Sequence, residues 1–280
     1  MIIENDLRTL LIYLYRKIKT METISTRLMG GLGNIMFQIA SAYSVALRDN
    51  KEMICDTRDM MIPHKPYTFY VDNIFRKVKF SDSLVNQKHI GECGFHYCQI
   101  PKLDGNVKLI GHFQSEKYFI DHRNELLELF EIDNKTKSYL LEKYSNIINE
   151  DTCSIHVRRG DYLGLPNYHP TQPIEYYIQA IKLIGEDKHY VIFSDDIKWC
   201  EENFGGLNNK TFISGNQDYE DLYLMSMCKN NIIANSTFSW WGAWLNNNEN
   251  KQVIIPSKWF GISNSHLNTN DLYCDKWIKL

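Results

Sequence analysis

Short apolar runs alternate with helix-length amphipathic segments in the second half of the chain, from Thr152 onward. Strands that are buried on both faces read as continuous apolar runs, and their alternation with helices is typical of a parallel sheet covered by helices. The predicted strands cover 154–157, 190–193, 211–214, 231–234 and 253–255, and the predicted helices cover 173–184, 196–203, 219–228 and 238–246. The pattern therefore predicts an α/β fold with a parallel sheet in this half.

The first half is less regular, but it predicts a second α/β unit. Its segments predict strands at 23–29, 53–55 and 108–112 and helices at 34–48, 116–130 and 136–148. The polar run at 149–151 is typical of a joint between domains. We predict an N-terminal extension at 1–20, one Rossmann-like domain at 21–150 and another at 151–280. Open parallel sheets bind ligands beyond the carboxyl ends of their strands, so the two domains are expected to face a cleft.

The first residues contain an apolar run at 10–15, which is too short to span a bilayer. Acidic Glu4 and Asp6 precede this run and basic residues follow it, which is the reverse of a cleavable signal peptide. We predict an amphipathic helix that packs on the protein, with peripheral membrane contact as the alternative. The chain is thus expected to have no transmembrane span.

The net charge of the chain limits the kinds of molecule that it is expected to bind. The 280 residues carry a formal net charge of −3, so nothing supports nucleic acid as a partner. A local pocket for two phosphates remains compatible with this charge. Any anion site must therefore be small and focused.

The cysteine pattern indicates reduced thiols in a cytoplasmic protein. The seven cysteines are odd in number and scattered, which does not fit a disulfide framework. The densest cluster is His89, Cys93, His96 and Cys98, and its spacing is not that of paired zinc knuckles. We predict ordinary loop and strand residues there and no metal site.

The segment 153–162 ends a predicted strand with charged residues. Since side chains alternate along a strand, His156 and Arg158 share one face and project together near its carboxyl end. Gly160 allows a turn that brings Arg159 and Asp161 to the rim, and two arginines there suit a diphosphate. Two alternatives remain: an ion pair between Arg159 and Asp161, and an exposed Arg-Gly-Asp adhesion loop.

A glycine-rich turn at 29–34 follows the first predicted strand and opens a helix. Gly31 and Gly33 let a ligand approach the backbone, and Asn34 can cap the helix, whose amino end favours anions. The turn is neither a Walker loop nor a full dinucleotide fingerprint, and a simple tight turn is the alternative.

Two further strand ends carry polar side chains. Ser236 and Thr237 stand where a helix begins, so their hydroxyls and the first free amides can hold a phosphate. Asp195 and Asp196 follow another strand, where one carboxylate can accept hydrogen bonds from guanine. Plain helix capping is the alternative for all four residues.

Taken together, these segments resemble the alpha-1,2-fucosyltransferase family, of the glycosyltransferase family 11 type. His156 to Tyr162 is similar to the family's H-x-R-R-G-D-Y signature. The segments 30–38, 111–119 and 235–244 are similar to its G-G-L-G-N-Q-M-F-Q, G-Y-F-Q-S-E-K-Y-F and N-S-T-F-S-W-W-G-A-W segments. Ile35 and Ile39 replace the usual Gln and Tyr. Four matches in order are more specific than any one alone.

The resemblance implies two Rossmann-like domains in the B-type glycosyltransferase arrangement, GDP-L-fucose as donor, inversion at the anomeric carbon and no cofactor or metal. By similarity, Arg158 binds the diphosphate, supported by Arg159, while Asp195 or Asp196 reads guanine. Ser236 and Thr237 hold phosphate, and Asn34, with Gly31 and Gly33, reaches the donor from the other domain.

The expected catalytic set is Arg158, Asp161 and His156. Arg158 and helix-end amides stabilise the charge that develops on GDP, and Asp161 is the candidate base, with water or a phosphate oxygen as the alternative. The predicted function is transfer of L-fucose to the 2-hydroxyl of a galactoside or similar glycan acceptor. The alternatives are transfer of another GDP-linked deoxyhexose and a non-catalytic glycan-binding protein.

Overall fold

Two parallel six-stranded sheets form the framework of the protein, for which a computed structural model describes residues 21–61, 65–148 and 151–280. The predicted extension at 1–20 lies outside the described residues. The first sheet has the strand order β4-β3-β1-β6-β5, with β2 paired to β1, and the second has the order β12-β11-β10-β7-β8-β9. All the strand pairs are parallel, as the sequence predicts.

The first half of the chain supplies one sheet and its helices. Its strands are β1 Thr23–Met29, β2 Glu52–Met53, β3 Cys55–Met61, β4 Phe80–Ser81, β5 Lys88–Gly91 and β6 Val107–Ile110. Its described helices are α1 Leu32–Asp49, α2 Arg123–Leu129, α3 Asn134–Lys143 and α4 Ser145–Ile148. The short edge strands β4 and β5 were not predicted, because they lack the apolar run of a central strand.

The second half follows the predicted alternation closely. Its strands are β7 Thr152–Val157, β8 His189–Ser194, β9 Lys210–Phe212, β10 Asn230–Ile232, β11 Val253–Ile255 and β12 Ile278–Lys279. Its described helices are α5 Ile174–Ile184, α6 Ile197–Phe204, α7 Asp218–Met227 and α8 Thr237–Leu245. All six residues of β7 are buried, because neighbours cover this strand on every side. Only β12 at the sheet edge was not predicted.

An aromatic core joins the two halves. Trp240 and Trp241 of α8 are fully buried, and the ring centroid of Trp240 lies 4.4 Å from that of Phe37 on α1. Phe119, also from the first half, stacks on Trp241 with centroids 5.5 Å apart. The tryptophans are therefore core residues and not an exposed sugar platform.

Phe119 also explains why the helix predicted at 116–130 is broken. Its backbone torsions, φ −147° and ψ 4°, are not helical, and they separate two short 3₁₀ turns, Glu116–Tyr118 and Ile120–His122, before α2 begins. Burying the ring against Trp241 outweighs the local helical preference.

The cysteine prediction is wrong at one pair. Cys93 and Cys98 form a disulfide that closes the loop between them. Scattered spacing does not reveal this bridge, because the loop after β5 turns back on itself. The other five cysteines are buried free thiols. None of the described helices combines the length and hydropathy needed to cross a bilayer.

A close backbone approach fixes how α1 meets α8. A Cβ at Gly33 would lie 2.6 Å from both the carbonyl oxygen of Thr237 and the amide nitrogen of Phe238. No side chain fits there, so glycine lets the first turns of the two helices touch. Gly30, with φ +80°, makes the turn from β1 into α1 in the left-handed region that favours glycine.

We expect Gly33→Ala to destabilise the protein by about 1–3 kcal/mol, because its methyl group must push α1 away from α8. Alanine is the better helix former by about 1 kcal/mol, so propensity alone predicts the opposite sign. Urea unfolding measures the difference. The control is Gly206→Ala, at an exposed position where a Cβ meets nothing within 4 Å. An unfolding midpoint for Gly33→Ala equal to that of wild type would contradict the steric argument.

Candidate active site

A cleft of ≈ 680 Å³ opens between the two sheets. Residues that follow β1 and β6 line it from the first half, and residues that follow β7, β8 and β10 line it from the second. All five strands present their carboxyl ends to the cleft, which is where parallel sheets bind ligands. The cleft predicted from the sequence is therefore present.

Two helix N-termini meet in this cleft. The cap positions of α1 and α8 are Gly31, which has no side chain, and Ser236, whose hydroxyl makes no capping hydrogen bond. The first backbone amides that donate to a carbonyl within each helix are those of Ile35 and Trp240. The amides of 32–34 and 237–239 therefore have no hydrogen-bond partner within their helices. Gly31, Gly33, Asn34, Ser236 and Thr237 line the cleft, as the sequence analysis expects of donor-binding residues. Uncapped amides and helix dipoles at one point form a site for an anion.

Asn34 lies one turn later than a cap, since α1 begins at Leu32. The expected capping role is therefore wrong, because Gly31 occupies the cap position. The Oδ1 atom of Asn34 accepts a hydrogen bond of 2.9 Å from Gln114, which follows β6. This contact fixes the Asn34 side chain at the cleft wall.

Arg158 projects into the cleft from the end of β7. Its guanidinium pairs with Asp195 at 3.0 Å and with Asp161 at 2.7 Å. The two carboxylates hold the guanidinium between them. Gly160 leaves room for the Asp195 carboxylate, because a Cβ at this position would lie 2.6 Å from it. Arg158 is thus positioned before any ligand binds, and Asp161 pairs with it and not with Arg159.

His156 lies beside Arg158 on the same face of β7, as the two-residue period predicts. Burial, together with the positive charge of Arg158, lowers the pKa of His156 to about 3, so the imidazole is neutral at physiological pH. Its Nδ1 atom has no hydrogen-bond partner in the described part of the chain. The side chain lines the cleft, where a bound ligand can supply that partner.

Arg159 is not among the residues that line the cleft. Its Nε atom donates to Asp196 at 3.0 Å, and its guanidinium lies 4.3 Å from the ring centroid of Trp199. The Arg159 side chain is thus engaged within the protein, whereas Arg158 lines the cleft.

The carboxylates of Asp195 and Asp196 both have partners within the protein. Asp195 accepts the amide of Arg159 at 2.8 Å and pairs with Arg158. Asp196 binds the Arg159 side chain and accepts the amide of Trp199 at 3.2 Å as the cap of α6. The capping alternative therefore describes Asp196.

Asp221 is the acid that the sequence analysis missed. It lies in the first turn of α7, lines the cleft, and accepts a hydrogen bond of 2.9 Å from Asn216. Burial raises the pKa of its carboxyl group to about 6. The signal was the cluster of three acids at 218–221, but the sequence alone does not say which of them faces inward.

Asp218, in the same turn, has a different environment. Its carboxylate accepts a hydrogen bond of 2.6 Å from the Tyr70 hydroxyl and pairs with Lys65 at 3.1 Å. Both partners come from the first half of the chain, so Asp218 links the two halves beside the cleft.

Aromatic rings form part of the wall of the cleft. Tyr162 stacks on His169 at 5.0 Å, and His169 lies 5.8 Å from Phe260. Phe95, at the tip of the loop closed by Cys93 and Cys98, meets Phe260 at 4.9 Å. Such a wall suits the apolar faces of sugar rings, and the sequence analysis did not single it out.

One group of three residues in the described part of the chain has the ligand types and proximity to hold a metal ion: Cys93, His96 and Cys98. Two of the three are joined in the disulfide.

The comparisons with known proteins agree with this geometry. The model of the family described as Glycosyl transferase family 11 matches residues 3–280. The O-antigen biosynthesis glycosyltransferase WbnK of Escherichia coli is 33% identical over 303 residues, covering 90% of this chain and 99% of the relative. An alpha-1,2-colitosyltransferase of the same species is 33% identical over 296 residues, covering 93% and 99%.

Among solved structures, the fucosyltransferase NodZ from Bradyrhizobium has a TM-score of 0.55 at 14% sequence identity, covering 79% of this chain and 91% of NodZ. This likeness concerns the fold. It confirms the B-type arrangement of two α/β units about a cleft.

We expect Asp221→Asn to stabilise the free protein by about 1–3 kcal/mol at pH 7.5. Because the folded pKa is raised, the stability that this group contributes below pH 4 is lost as the pH rises through about 6. The neutral amide avoids that loss and still accepts the hydrogen bond from Asn216. Thermal unfolding at pH 5 and pH 7.5 measures the gain, which shrinks at the lower pH.

The matched control for this prediction is Asp218→Asn in the same helical turn. It removes the ion pair with Lys65, so we expect an unchanged or lower melting temperature. Equal effects of the two substitutions would contradict the distinction between them.

Proposed function

The chain belongs to glycosyl transferase family 11, and we propose that it transfers L-fucose from GDP-L-fucose to the 2-hydroxyl of a galactoside with inversion at the anomeric carbon. The observation that carries the proposal is the convergence of two uncapped helix N-termini with Arg158 in one cleft. Few ligands other than a diphosphate require that much positive potential at one point.

The diphosphate of the donor occupies the site between the two helix starts. Amides of 32–34 and 237–239 and the hydroxyls of Ser236 and Thr237 donate to its oxygens, and Arg158 reaches it from β7. When the bond between the sugar and the phosphate breaks, negative charge develops on GDP and these donors are already in place. Preorganised donors of this kind supply a large share of catalysis in many enzymes.

Asp221 is the group that we assign to guanine, in place of Asp195 or Asp196. A guanine edge presents two neighbouring N–H donors, and an ionised carboxylate accepts both. The raised pKa of Asp221 means that the free carboxylate is poorly solvated, so a ligand that donates to it is favoured.

In the transfer step, the acceptor oxygen forms a bond to the anomeric carbon as the bond from that carbon to the phosphate oxygen breaks. The acceptor proton passes to Asp161 or to a phosphate oxygen of GDP. Asp161 is 47% exposed and lies 2.7 Å from Arg158, so its carboxylate borders both the diphosphate end and the open cleft. Neutral His156 completes the set by hydrogen bonding to a phosphate oxygen.

A related deoxyhexose is the second candidate for the transferred sugar. The relative that covers 93% of this chain is named an alpha-1,2-colitosyltransferase, and its identity of 33% does not fix the sugar. The groups assigned above contact the nucleotide and not the sugar hydroxyls. A donor panel of GDP-L-fucose and GDP-colitose distinguishes the two.

We expect calorimetry to detect binding of GDP and GDP-fucose to wild type with EDTA present, since Arg158 and the amides replace a metal in balancing the phosphate charge. Arg158→Ala should weaken GDP binding by roughly 10–100-fold, the usual effect of losing a charged hydrogen-bonding group. Asp221→Asn should weaken GDP binding by a similar factor. The same substitution should weaken the binding of GTP at least as much as the binding of ATP.

Arg159→Gln is the matched control, because the neighbouring arginine is not among the residues that line the cleft. It should bind GDP as wild type does. Absence of GDP binding by wild type would overturn the donor assignment. Glycan binding that GDP does not affect would instead favour a non-catalytic glycan-binding protein, and binding that depends on a divalent cation would overturn metal independence.

A further inference from the structure

Four large apolar side chains stand exposed at the mouth of the cleft. Their exposed fractions are 55% for Leu163, 45% for Leu165, 49% for Tyr168 and 74% for Ile262. We call these four residues the apolar rim. The segments that carry them, 163–168 and 261–265, contain no charged residue. A cleft that bound only hydrophilic sugars and a nucleotide would not need such an edge.

The rim is one surface built from two loops. The amide of Gly261 donates to Tyr168 at 2.9 Å, and that of Ser263 donates to Asn167 at 2.9 Å. A Cβ at Gly261 would lie 2.7 Å from the carbonyl oxygen of Pro166, so only glycine permits this approach. Ile262 is therefore held beside Tyr168.

The rim is continuous with the active site. Leu165 belongs to the rim and also lines the cleft, and Ile262 stands between the lining residues Phe260 and Asn264. Asn235 donates to the carbonyl oxygens of Pro170 and Trp259, both at 2.9 Å, and so anchors both loops to the strand end that carries Ser236. The apolar surface is thus fixed relative to the phosphate site.

The size of the rim argues for a ligand and not for another protein. Four half-exposed side chains of this kind present on the order of 400 Å², whereas a stable protein interface needs about 800 Å² from each partner. A hydrocarbon chain of several methylene groups matches that area, and its burial is favourable.

We propose that the acceptor is a glycolipid: its sugar lies against the aromatic wall in the cleft and its hydrocarbon aglycone lies over the apolar rim. This inference rests on the proposed transfer to a galactoside, and it adds the class of aglycone. Leu165 lines the same cleft as Tyr162 and Phe260, and Ile262 is two residues from Phe260 along the chain, so the rim adjoins the aromatic wall.

The test compares methyl β-galactoside with octyl β-galactoside, below its micelle concentration, as acceptors. Wild type should show a kcat/KM roughly tenfold higher for the octyl glycoside, from partial burial of its chain. The double variant Leu163→Ser/Ile262→Ser should reduce that ratio to about one and leave transfer to the methyl glycoside unchanged. The control Ile178→Ser/Leu183→Ser removes two similarly exposed apolar side chains from α5 and should retain the preference.

Equal kcat/KM for the two glycosides in wild type, or a preference that survives in the rim variant, would overturn the proposal. Calorimetry also measures the affinity for octyl β-galactoside without donor, which does not depend on turnover. We expect wild type and the α5 control variant to bind it more tightly than the rim variant does. Failure of the proposed function differs from both, because neither glycoside would then consume GDP-fucose. Light scattering covers the remaining outcome: a dimer that the rim variant dissociates would assign the rim to a second copy of the chain and overturn the proposal.

Discussion

The contact between the backbone at Gly33 and the first turn of α8 determines most of what the cleft can do. Because the two helices touch there, their free amides point at the same small volume, and neither helix alone would offer as much potential to an anion. The same contact allows Phe37 to reach Trp240, so the aromatic core and the anion site depend on one close approach. Packing in the interior thereby preorganises the chemistry at the surface.

Both arginines that follow β7, Arg158 and Arg159, have carboxylate partners within the protein. Arg158 is held by both Asp195 and Asp161. In the function proposed above, a diphosphate competes with Asp161 for the guanidinium, and this leaves the Asp161 carboxylate free to take the acceptor proton. His156 stays neutral because burial and Arg158 both oppose its protonation, so it adds no charge to the site.

The parts of this arrangement that are local in sequence could be predicted, and the parts that depend on distant contacts could not. Continuous apolar runs gave the central strands of both sheets, and strand periodicity placed His156 and Arg158 on one face. Charge did not show that Arg159 pairs with Asp196 and lies over Trp199, because these partners follow another strand. To predict Asp221 in the cleft, one must know which side of α7 faces inward. To predict the Cys93–Cys98 bridge, one must know the path of a loop. Phe119 broke a predicted helix because its partner, Trp241, lies more than a hundred residues away.

The proposed donor side and acceptor side of the cleft are carried by different kinds of structural element, and one residue connects the two sides. The groups proposed to bind the donor lie at strand ends and helix starts, whereas the aromatic wall is formed by loops around Phe95, Tyr162 and Phe260. Asn235, 2% exposed, donates to both acceptor-side loops, and its carbonyl oxygen accepts from the Tyr162 hydroxyl at 3.0 Å. Since Ser236 and Thr237, whose hydroxyls are proposed to bind phosphate, follow it directly, side chains in these loops can change to suit another acceptor while the proposed donor site keeps its position.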